Sequence, residues 1–166
     1  NELVTNGFAG VVCGGRLSGT AVVNYGAEID YPSYAATLEF QMVDLNQLVE
    51  DVTGSPTEIV GRVSGTVRMG GFLDDMRSIR ASGTLSLVEG RLWKSPLVVS
   101  LLSVLRLSLP AGTESPMWGE VSYAIGDGQV RITEFELLGG GLNATGTGTI
   151  GLFDQALDLI IVAVGA

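Results

Sequence analysis

Apolar and polar residues alternate along much of this chain. In residues 36–42, Ala36, Leu38, Phe40 and Met42 fall on one side of an extended backbone, and Thr37, Glu39 and Gln41 on the other. The same period of two returns over 62–69, where Val63, Gly65, Val67 and Met69 oppose Arg62, Ser64, Thr66 and Arg68. Leu85 and Leu87 then oppose Thr84 and Ser86, and Val121, Tyr123 and Ile125 oppose Glu120 and Ser122. Gly126-Asp127-Gly128 predicts a tight hairpin into Val130, Ile132, Phe135 and Leu137, and the slip of phase after Ile132 predicts a bulge at Thr133 or Glu134. Leu157, Leu159 and Ile161 close the series. There both faces are apolar, which predicts a better covered strand. The pattern predicts a mainly β fold: a curved antiparallel sheet with one greasy and one wet face.

Four of these segments carry Ser/Thr-Gly-Thr, centred on Gly19, Gly65, Gly83 and Gly146. Glycine inside a strand weakens it unless a bend, a close backbone approach or room above the sheet requires it. Four of them predict a strongly bent sheet. Two short helices interrupt the strands. Asp44 caps the first, over 45–52, with Leu45, Leu48, Val49 and Val52 on one side. Ser95 and Pro96 start the second, over 95–108. It is oily nearly all round, with Leu97, Val98, Leu101, Leu102, Val104 and Leu105 among its members and only Ser100, Ser103 and Arg106 as a polar stripe. The reading places the helices on, or at the end of, the apolar face.

The composition narrows what such a sheet can do. The 166 residues are enough for a single domain or segment, 1–166; 46% of them are hydrophobic and 16% charged. A net charge of −9 and the lack of any basic run argue against nucleic acid as a partner, and against docking by charge onto anionic lipid. There is no histidine, so the commonest general base and zinc ligand are missing. The single cysteine, Cys13, is expected to be a small buried apolar residue. No leader-like run opens the chain, and no stretch approaches the roughly 18 apolar residues of a membrane-crossing helix. The reading expects a piece excised from a longer, membrane-anchored protein.

Candidate chemistry is sparse. Residues 146–151, GTGTIG, match a dinucleotide-binding pattern, but they lie in a strand with no helix following to offer its N-terminus to a pyrophosphate. Glu134 and Glu136 share a strand face, like half of a glycosidase pair, without a framing aromatic surface. Arg77, Arg80, Arg91 and Lys94 are locally dense and are expected to balance nearby acids. The residues predict no catalytic, cofactor-binding or metal-binding set.

From residue 38 to 164 the order of elements resembles the C-terminal region of the AsmA-like family of bacterial envelope proteins. The resemblance rests on VDLNQLVEDV, on the strand–loop–strand run through EGRLWKSP into the oily helix, and on the later I-x-D-G hairpin, G-T-G-x-I strand and ALDL ending. It implies a repeating β-groove architecture, taco-like, with a hydrophobic interior. It also implies a non-enzymatic role: binding phospholipid acyl chains, carrying phospholipid between inner and outer membrane, and keeping the outer membrane intact. The implied setting is the periplasm, with an anchor in the inner membrane that this chain does not contain. On that reading the groove is lined by Leu38, Phe40, Met42, Val63, Val67, Met69, Leu85, Leu87, Val121, Tyr123 and Ile125.

Physics makes such a carrier reasonable. Stripping a sixteen-carbon chain into water costs on the order of 10 kcal/mol, and an unbroken apolar surface removes that barrier without base, nucleophile or metal. Two other readings stay open: a capping or scaffold module that assists outer-membrane assembly without holding lipid, and a carbohydrate-binding or glycosidase-like β domain built on Glu134 and Glu136. The oligomeric state is left open.

Overall fold

The computed structural model describes residues 2–26, 30–91, 117–139, 142–154 and 156–165. The predicted oily helix, with Leu97, Val98, Leu101, Leu102, Val104 and Leu105, lies outside the described residues, as does Lys94.

The strands are β1 (Glu2–Val12), β2 (Gly15–Asn24), β3 (Ser33–Asp44), β4 (Val60–Phe72), β5 (Asp75–Arg91), β6 (Met117–Gly126), β7 (Gln129–Gly139), β8 (Leu142–Gly151) and β9 (Leu157–Gly165), with one helix, α1 (Leu45–Thr53), between β3 and β4. Among the described residues they form one curved open sheet in the order β1 to β9, each strand antiparallel to the next. Local turns explain part of this order. Asp127 and Gly128 both take positive φ, 52° and 73°, the two-residue turn whose twist matches its flanking strands. Cys13 and Gly14, at 44° and 71°, make the same turn between β1 and β2.

The predicted bulge is present. The β7–β8 register breaks between Ile132 and Phe135, and the Thr133 hydroxyl donates to the Ser122 carbonyl at 3.1 Å. The Asp44 carboxylate caps α1 by accepting from the Gln47 amide at 3.1 Å, and Gly54 closes the helix in the left-handed region. Asn46 then ties the following connector down, donating to the carbonyls of Thr57 and Ile59. Val52, expected beside Leu45, Leu48 and Val49, is instead exposed, and α1 buries no residue fully.

The last strand departs from expectation. β9 is apolar on both faces yet forms an edge of the sheet, with Ile160, Val162 and Val164 exposed by 70, 62 and 63%. Two-sided grease reads from sequence as cover on both sides; among the described residues nothing covers the outer side of this strand.

Candidate functional site

The register carries a single apolar face across all nine strands. Directly paired antiparallel residues point the same way, so each line of partners is a row on one face. One row runs Gly10, Leu17, Phe40, Gly65, Leu85, Val121, Phe135, Gly146, Ile161. Beside it lie Phe8, Gly19, Leu38, Val67, Gly83, Tyr123, Ile132, Gly148 and Leu159. A third row includes Ala36, Met69, Ala81, Ile125 and Val130, and a fourth Val43, Val63, Leu87, Gly119, Leu137 and Ala144. The opposite face is wet through the middle strands: Ser18, Glu39, Thr66, Thr84, Ser122 and Glu134 make one of its rows.

Ten of the eleven residues expected to line a groove therefore share this face: Leu38, Phe40, Val63, Val67, Met69, Leu85, Leu87, Val121, Tyr123 and Ile125. Met42 does not. The β3–β4 register breaks between Phe40 and Val43, Met42 takes φ 56°, and its amide donates to the Ser64 hydroxyl at 2.9 Å. One extra residue flips the alternation. Met42 is consequently 43% exposed, and Val43 turns inward instead, only 4% exposed, against Val63. Nothing in the sequence marks this bulge, because methionine rarely takes a left-handed conformation. Phe8 and Leu17, from the two strands least regular in pattern, were also missed.

The glycines explain the shape of the face. Gly19, Gly65 and Gly83 each sit beside large side chains on neighbouring strands, which lie down over them. A Cβ built on Gly65 would stand 3.0 Å from both the Phe40 ring and a Leu85 methyl, and one on Gly19 would meet the Phe8 ring at 3.2 Å. The Tyr123 hydroxyl reaches to 3.0 Å from the same point on Gly83. Aromatic rings laid over cross-strand glycines cover the bare backbone and lower the relief of the sheet. The face is thus broad and shallow, and among the described residues its buried hydrophobic members are only Val43, Met117 and Ala144.

An apolar depression of ≈ 210 Å³ opens on it, lined by Val63, Leu85, Leu87, Val121, Phe135 and Leu137, with Leu45 of α1 at its border. Larger hollows of ≈ 440 and ≈ 490 Å³ open on the other face among Glu39, Gln41, Arg16, serines and threonines. Their walls mix polar groups with apolar ones such as Met42 and Val11, whereas the depression on the apolar face exposes apolar surface alone, so chemistry rather than size selects it.

Burial pushes the Tyr123 phenol above its ordinary value. The folded state then holds the proton more tightly than the unfolded chain. Stability from neutral Tyr123 is full below the ordinary tyrosine value of about 10 and is lost as pH rises through the higher folded value. In a phenolate absorbance titration of the folded chain, Tyr123→Phe is expected to remove a step above the ordinary tyrosine value; loss of a step at the ordinary value would place Tyr123 in water.

Cys13 is only half-buried, against expectation, because it sits in the β1–β2 turn. Its thiol donates to the Asp51 carboxylate at 3.5 Å. Partial desolvation, that hydrogen bond and the charges of Asp51 and Asp44 all push it up, making it a poor nucleophile. Arg80 pairs with Asp127 at 2.5 Å and Arg77 lies over the Phe153 ring, so these two cations of the dense basic group are engaged at one end of the sheet.

Glu134 and Glu136 are exposed on the wet face, Glu136 directly opposite Glu120. Trp118 lines a small hollow there with Glu120 and Glu136, an aromatic neighbour that the sequence reading did not place. Among the described residues no three His, Cys, Asp or Glu side chains converge as metal ligands, and no helix is long and apolar enough to cross a membrane. No family model, no curated protein and no solved structure matches the chain.

Proposed function

We propose that this chain is a non-enzymatic, periplasmic segment of an AsmA-like envelope protein, and that it holds phospholipid acyl chains on its apolar sheet face during transport between inner and outer membrane. The observation that carries the reading is the apolar face running across nine strands while only three hydrophobic residues are buried among those described. A self-contained core would seal such a face; an acyl carrier needs it open. The glycine rows favour a carrier further, because rings lying flat leave height for an alkyl chain above the backbone. Each methylene laid on that surface gains about 0.8 kcal/mol.

The test is organic extraction of the purified chain followed by lipid mass spectrometry, then exposure of the stripped chain to phosphatidylethanolamine vesicles. Co-purified phospholipid, or uptake from the vesicles, is the expected result. A chain that is lipid-free at both stages would instead be a scaffold or capping module.

A further inference from the structure

We propose that the Tyr123 hydroxyl is a polar anchor on the apolar face, donating a hydrogen bond to the ester carbonyl of a bound glycerolipid. It thereby selects ester-linked acyl chains over alkyl chains joined by an ether. The inference rests on the acyl-chain reading and names the chemical group that this face recognises.

Covering a glycine does not require a hydroxyl. Phe8 lies over Gly19 and Phe40 over Gly65 with bare rings, 3.2 and 3.0 Å from where a Cβ would stand. Tyr123 is paired directly with Gly83, and there the nearest part of the covering side chain is the hydroxyl itself, at 3.0 Å. The oxygen lies on the apolar side of β5, since a Gly83 Cβ would project that way, and it makes no hydrogen bond with any described residue. Raised above the ordinary tyrosine range by burial, the phenol keeps its proton at neutral pH and remains a donor.

Such a phenol packs an apolar body and leaves one donor to satisfy. Water serves that donor while the face is open. Once lipid covers the face, water is shut out, and a donor left unpaired is costly, so the bound molecule must bring an acceptor. Charge decides which one. A phosphate calls for a cation, and among the described residues neither the row of Tyr123 nor the rows flanking it carry Lys, Arg, Asp or Glu. The ester carbonyl is neutral, accepts hydrogen bonds and is joined directly to the acyl chain. Gly83 and Leu85 are same-face neighbours on β5, roughly 7 Å apart. A chain seated in the depression at Leu85 and Val121 therefore passes the hydroxyl as it runs along β5.

The test equilibrates the stripped chain with vesicles holding equal amounts of diacyl and dialkyl phosphatidylethanolamine of one chain length, and mass spectrometry reads the lipids taken up. The parent is expected to take the diacyl lipid in about fivefold preference, the worth of one neutral hydrogen bond. Tyr123→Phe is expected to take both alike, with an unchanged circular dichroism spectrum. Diacyl lipid isotopically labelled at its ester carbonyls should show, on the parent, an infrared stretch lowered by hydrogen bonding that Tyr123→Phe removes. A parent that takes both lipids alike, or a Tyr123→Phe variant that keeps the preference or the lowered stretch, would overturn the anchor and leave the acyl-chain reading standing. A parent that takes neither lipid overturns that reading and the anchor together.

Discussion

Val121→Asp is expected to leave the sheet folded and to weaken phospholipid binding about a hundredfold. Val121 stands in the middle of the apolar depression, between Leu85 and Phe135, and is only half-buried. Water reaches a carboxylate there in the empty chain, so the charge costs folding little. An acyl chain laid across it excludes that water. Losing the contact of about four methylenes removes about 3 kcal/mol, which is about a hundredfold in affinity. The choice of position matters. Leu87→Asp confounds folding with binding, because Leu87 covers glycine backbone: a Cβ on Gly61 would lie 2.8 Å from one of its methyls, and one on Gly90 2.5 Å from the other. Circular dichroism and a vesicle-binding assay on Val121→Asp separate the two effects. A folded variant that binds as well as the parent moves the acyl chain elsewhere; an unfolded one makes Val121 part of a sealed core.

Much of this architecture is legible in the residues, because alternation fixes faces and turn chemistry fixes neighbours. Val63, Val67 and Met69 could be placed on the apolar face from their period alone, and Asp127-Gly128 joins β6 to β7 by a turn that few other dipeptides favour. Tight turns set β1 beside β2 and β6 beside β7, whereas the longer links from β3 to β4 and from β5 to β6 carry no such signal. What failed did so where a backbone conformation overrode its own signal. Met42 sits in phase with Phe40 in the sequence, and a left-handed residue with no glycine or asparagine to announce it moved Val43 into that place. β9 failed for another reason. Apolar residues on both faces report that something covers a strand, without saying whether the cover comes from the same molecule.

The glycine rows permit a prediction whose sign opposes the usual one. Gly→Ala at a compatible position normally stabilises a protein by about 0.4–1 kcal/mol, by narrowing the unfolded ensemble. Gly10 and Gly65 lie in the same row, both outside the left-handed region, yet their surroundings differ. A Cβ on Gly10 meets nothing within 4 Å, so Gly10→Ala is expected to follow the rule. A Cβ on Gly65 runs into the Thr84 carbonyl oxygen, with the Phe40 ring and a Leu85 methyl each at 3.0 Å. The backbone on one side cannot yield as a side chain can, so the strands must part or the ring must lift. Overpacking of this kind costs about 1–3 kcal/mol, more than the entropic gain, and Gly65→Ala is expected to lower the urea midpoint while Gly10→Ala raises it. A lifted Phe40 would also stand where the acyl chain lies, so the weakened variant should bind phospholipid less well than its loss of stability alone requires. Equal stabilisation by both substitutions would mean that the close approach over Gly65 is absent, and with it the reason for a face this shallow.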